Sequence, residues 1–123
     1  MAKDDYHYLV FRILTYLYGV LQCKYSFDEK VFLKTVDRTK EGISEEYLTR
    51  VLKFMTDDGL ITGLVFAKAW GNECILANDL KNVAITPKGL DYLTENTRMN
   101  ELKKTLSESA GLITELVKLV FSL

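Results

Sequence analysis

Few side chains in this 123-residue chain have the types and spacing that catalysis requires. The single histidine, His7, leaves no imidazole pair for a metal and no base for a Ser-His-Asp arrangement. Cys23 and Cys74 stand about fifty positions apart, without the C-x-x-C spacing of a zinc site. As free thiols they suit a reducing compartment; one distant disulfide is the alternative. Glu45-Glu46 and Asp57-Asp58 are sequence neighbours, and neighbours on a helix diverge by about 100°, so neither makes a catalytic carboxylate pair. There is no phosphate loop and no nucleophile elbow. These readings predict a non-enzymatic protein that needs no metal or cofactor.

What remains is binding. Thr49, Arg50 and Lys53 project outward from a helical stretch, where a hydroxyl can meet a base edge and two cations can meet phosphates. Lys68 lies further on, and Lys34, Arg38 and Lys40 come before. Together they can reach phosphates from both sides of a groove.

The elements that position these residues follow from periodicity. Asp4 to Leu21 carries Leu9, Val10, Ile13, Leu14, Leu17, Val20 and Leu21 on one broad helical stripe, wide enough for packing on two sides. Tyr6, Tyr8, Tyr16 and Tyr18 are expected at its rim. A short helix is predicted from about Asp28, with Ser26 as N-cap, Glu29 completing a capping box, and Val31, Phe32 and Val36 inward. Asp37 to Gly42 reads as a polar turn. Ser44 caps the clearest helix, which buries Leu48, Val51, Leu52 and Met55 and stops at Asp58-Gly59. Short β-forming runs follow at Leu60 to Phe66, Cys74 to Leu76 and Val83 to Ile85, with a turn at Trp70 to Glu73 and a loop at Asn78 to Lys81. Thr86-Pro87 starts another helix, ending near Asn96. From Thr97 to Phe121 the pattern predicts one long amphipathic helix, its stripe formed by Leu102, Leu106, Ala110, Ile113, Val117 and Val120.

Three helices, a short hairpin and a further helix make an α+β plan, the winged helix-turn-helix, with Ser44 to Asp58 as recognition helix. The stretches Gly42-Ile43-Ser44, Tyr47-Leu48, Phe54-Met55 and Asp58-Gly59-Leu60-Ile61-Thr62-Gly63 resemble the YjcQ family. So does Ala84-Ile85-Thr86-Pro87-Lys88-Gly89-Leu90-Asp91-Tyr92-Leu93-Thr94-Glu95-Asn96. Such proteins occur in Gram-positive bacteria and their phages. The resemblance covers half to two thirds of the chain and implies a winged-helix fold with a DNA-related role. Its motifs speak to fold more than to function, since Asp58-Gly59 is a helix stop and Thr86-Pro87-Lys88-Gly89 a helix start.

Charge weighs against DNA. The chain holds 16 Lys and Arg against 17 Asp and Glu, a formal net charge of -1. From Asp28 to Asp58 six bases face eight acids, a local balance of -2. Affinity for DNA draws heavily on cation–phosphate contacts. Glu45 and Glu46 sit where a recognition helix meets base edges, although at a helix start their first role is to stabilise the dipole. Trp70 can wedge against a partner or fold back over the sheet, and packing is the preferred reading.

A 48% hydrophobic and 27% charged composition is that of a globular protein with one core. The longest uncharged apolar stretch, Ile13 to Cys23, is shorter than the roughly 18 residues of a membrane span, and acids follow Met1 where a signal peptide has bases. A cytoplasmic location with no membrane partner is expected. Residues 1–96 are read as the winged-helix domain and 97–123 as a helix of the same domain. Leu112, Leu116, Leu119 and Phe121 lie outside the terminal stripe and predict a homodimer interface; the alternative is that they complete the chain's own core. The leading expectation is therefore a dimeric binder of double-stranded DNA, a transcription regulator. The rival is a protein-interaction module on the same scaffold.

Overall fold

The computed structural model describes residues 5–36, 43–68, 70–72, 74–108 and 111–121. Helix α1 (Asp5–Leu21) is the axis of the fold. Leu9, Val10, Phe11, Ile13, Leu14, Tyr16 and Leu17 are all buried, because an apolar pattern this broad must be covered on several sides. Arg12 is buried within this wall, where its Nη1 donates to the Thr35 carbonyl at 2.6 Å and its guanidinium lies 4.9 Å from the Tyr8 ring centroid. Tyr16 is not a rim residue as expected. It shares the inward face with Leu9 and Ile13, stacks among Tyr25, Phe27 and Phe32, and satisfies its hydroxyl on the Asp28 backbone.

Helix α2 (Glu29–Val36) follows, and Asp28 caps it rather than Ser26. The Asp28 Oδ1 accepts from the N–H groups of Lys30 at 2.9 Å and Val31 at 3.2 Å, the geometry a short acidic side chain offers at a helix start. The expected turn at Asp37 to Gly42 lies outside the described residues. Helix α3 (Glu45–Asp57) has its predicted cap, Ser44 Oγ accepting from the Tyr47 N–H at 3.1 Å, and buries Leu48, Val51, Leu52 and Met55.

Four short strands come next. β1 (Ile61–Thr62) pairs antiparallel with β4 (Ala84–Ile85), and β2 (Phe66–Lys68) with β3 (Cys74–Leu76). The two ladders are one hairpin with an offset. Between them the outgoing arm spends three residues and the return arm seven, four of them surplus. Asn78 stitches the seam: its Nδ2 donates to the Gly63 carbonyl at 2.8 Å and its Oδ1 accepts from the Val65 N–H at 2.9 Å. The surplus folds into a single tight turn, Leu80–Asn82. Gly63 makes room for it with φ 93°; a Cβ there would lie 1.9 Å from the Asn82 carbonyl oxygen.

Helix α4 (Pro87–Glu95) starts as predicted, with Thr86 accepting from the Gly89 N–H at 2.9 Å and donating to the Gly59 carbonyl. The expected long terminal helix is instead two, α5 (Thr97–Ser107) and α6 (Leu112–Phe121). Gly111, at φ 123°, permits the break. A continuous helix would carry its last turns away from the core. The break lets Ile113, Leu116, Val117 and Val120 pack against α1 and α5, and the Thr114 hydroxyl donates to the Leu106 carbonyl at 2.8 Å across it. At the far end Gln22 Nε2 donates to the Val120 carbonyl at 3.1 Å, and Lys24 Nζ to that of Leu119, so the turn that follows α1 caps the tail of α6. The result is an α+β fold in which α1 touches all five other helices and β4. No helix among the described residues is long and apolar enough to cross a membrane.

Candidate binding surface

Helix α3 presents Glu46, Arg50, Lys53 and Asp57 along one outward stripe at spacings of four, three and four. The charges neutralise each other in place. Arg50 Nη2 lies 2.9 Å from Glu46 Oε1, and Lys53 Nζ lies 2.7 Å from Asp57 Oδ1. Both pairs are solvent-exposed. Thr49 faces sideways instead: its hydroxyl donates to the Glu45 carbonyl at 2.8 Å, and its side chain lines a groove. Lys53 also leans toward the hairpin, 6.0 Å from the Phe66 ring centroid.

The hairpin stands beside α3. Lys68 is exposed on β2 and, among the described residues, in no ion pair. Trp70 at the tip is 97% exposed, so the expectation that it lids the sheet is wrong. The chain turns there through Gly71 at φ 73°, which throws the ring outward instead of back over the strands. On the other flank of α3, Phe54 is exposed and meets Tyr6 edge-on. Burial holds the Tyr6 and Tyr92 hydroxyls above the ordinary tyrosine range, and the Asp58 carboxylate adds to it in both.

The groove, about 810 Å³, runs between α2, α3 and β3. Leu33 and Val36 line it from α2, Leu48 and Leu52 from α3, and Ile75 and Leu76 from the hairpin. Glu29, Glu45 and Glu46 rim it. Sequence reasoning missed this groove because its walls come from three separate segments. Its one local clue was that Leu33 follows Phe32 on a helix whose inward face was already assigned to Val31, Phe32 and Val36.

The predicted dimer residues divide. Leu112 is 39% and Leu119 47% exposed. Leu116 is only 6% exposed, held in the chain's own core, so it is not a surface residue as the interface reading required. Phe121 is half-buried, edge-on to Tyr18 with Lys103 over its face. Within α6, Leu116 stands three residues from Ile113 and four from Val120, so it shares their buried face.

Among the described residues no group of three His, Cys, Asp or Glu side chains is placed to hold a metal ion. Cys23 and Cys74 are both free thiols, Cys23 exposed and Cys74 half-buried. Neither a curated protein nor a solved structure matches the chain. A family model described as YjcQ protein matches residues 11–109.

Proposed function

The chain belongs to the YjcQ family, and on that premise we propose that it is a non-enzymatic winged-helix protein that binds duplex DNA as a regulator. One observation carries this reading. A capped helix with an exposed face, α3, follows a short helix and is itself followed by a hairpin whose tip projects beside it. That is the arrangement in which a helix enters the major groove and a wing reaches the adjoining backbone. Arg50, Lys53 and Lys68 are the phosphate-contacting cations, and Thr49 stands at the edge of the same helix face.

The ion pairs on α3 weaken this surface without abolishing it. Exposed i,i+4 pairs are worth about 0.3–0.5 kcal/mol, so a phosphate can displace the carboxylate partner at little cost. Arg50→Ala/Lys53→Ala should lower affinity for random-sequence duplex DNA at least tenfold at low salt and reduce the salt slope by about two. Unchanged binding would sink the assignment of α3 as the DNA-reading helix. We further propose that two copies associate through Leu112 and Leu119, giving the two-fold symmetry that paired half-sites match.

The internal neutrality of the α3 stripe favours a second reading, a protein-interaction module on the same scaffold. In that case duplex DNA fails to bind even at low salt.

A further inference from the structure

The groove between α2, α3 and β3 is unaccounted for by DNA binding. Its floor is apolar, from Val36, Leu48, Leu52 and Leu76. Its two lips carry large apolar side chains open to solvent, Leu33 at 39% and Ile75 at 45% exposed. Exposed apolar groups gathered at a concave site are the usual mark of a protein contact. The rim is charged with one sign. Glu29 and Glu45 are in no ion pair among the described residues, Glu46 adds a third carboxylate that it shares with Arg50, and no described lysine or arginine lines the groove.

We propose that this groove is a docking site for a peptide segment of a partner protein, with apolar side chains flanked by lysine or arginine. The floor and lips take the apolar side chains, and the three carboxylates select the basic flanks by charge complementarity. An open groove of about 810 Å³ takes several leucine-sized side chains, which makes the occupant a short segment rather than a whole domain face. A nucleic acid is the wrong chemistry for this site, since its phosphates would meet the carboxylates. The site shares Thr49 and the Arg50-paired Glu46 with the α3 surface, while Glu29, Glu45 and the apolar lining are its own.

The test uses the full chain and a labelled 12-residue peptide of leucine and lysine, with its leucine–glutamate counterpart as control, read by fluorescence anisotropy. The lysine peptide should bind at least tenfold more tightly than the glutamate peptide. Leu33→Asp and Ile75→Asp, both at exposed positions, should each weaken it about tenfold. Glu29→Gln/Glu45→Gln should weaken it severalfold and flatten its salt dependence. Leu21→Asp, at an exposed position outside the groove lining, should leave it unchanged, and circular dichroism should show every variant folded. Equal binding of the two peptides, or binding indifferent to Leu33→Asp and Ile75→Asp, overturns the proposal. Self-association that Ile75→Asp abolishes would overturn it as well, because the groove's occupant would then be a second copy. Loss of DNA binding in Lys53→Ala/Lys68→Ala, neither of which lines the groove or pairs with its carboxylates, with peptide binding intact would separate this site from the DNA surface.

Discussion

Arg50 and Lys53 each stand four residues from a carboxylate, and that spacing decides how much of their charge reaches a ligand. Removing the carboxylates should strengthen a DNA complex, not weaken it. Glu46→Gln/Asp57→Asn is expected to raise affinity for duplex DNA about tenfold at 50 mM salt, measured by anisotropy. An affinity that stays level would mean the α3 cations do not face phosphate. Residues i and i+4 on a helix are neighbours, yet reading Arg50 and Lys53 as outward-pointing cations left their carboxylate partners out of account. Tyr25 makes a different prediction. Its hydroxyl donates to the Tyr16 carbonyl at 2.9 Å, and burial pushes its ionisation well above the ordinary 10.0. The folded state thus holds a proton that the unfolded state releases. Its stabilising effect is complete below pH 10 and is lost progressively as pH rises above that value. The wild type should therefore lose melting temperature in alkali more steeply than Tyr25→Phe, which has no proton to lose at that position.

Elements announced themselves in proportion to how local their causes were. Caps at Ser44 and Thr86 and the stop at Asp58-Gly59 are nearest-neighbour chemistry, and all three lie where the residues placed them. The break between α5 and α6 had one local sign, Gly111, while the gain that favours it, packing α6 against α1, joins elements about a hundred residues apart. Helical periodicity continues across a hinge whenever both halves are amphipathic. The offset in the hairpin was hidden for the same reason, and it makes a sharp test. Gly63→Ala combines a positive φ with a clash against Asn82, so it should cost at least about 1–3 kcal/mol in denaturant unfolding. Asn78→Ala should cost about 1–2 kcal/mol and speed amide exchange at Val65, whose N–H it leaves unpaired. If Val65 stays as protected as in the wild type, Asn78 does not hold the seam.

At the scale of the molecule, the α+β class and the order of elements through α4 could be read from the chain, whereas the groove could not. A concave site belongs to no single segment. Leu33, Leu52 and Ile75 are ordinary apolar residues until the fold brings their elements to one cleft. Association can be tested at this scale too. Leu112→Asp/Leu119→Asp should convert a dimer to a monomer in sedimentation at micromolar concentration without altering the circular dichroism spectrum. A wild-type chain that sediments as a monomer refutes the dimer. Leu116→Asp is unsuitable, because a carboxylate at that buried position would report on folding instead.

Helix α1 is covered on nearly every side, and much of its cover is made last. Its contacts with α6 join the beginning of the chain to residues about a hundred positions later, with the Gln22 and Lys24 donors closing the far end. A ribosome producing this chain at about 5–20 residues per second therefore exposes a sticky N-terminal helix for several seconds before its partner emerges. Until α6 is made, α1 is covered only in part, and the fold closes when an element encoded late reaches one encoded early.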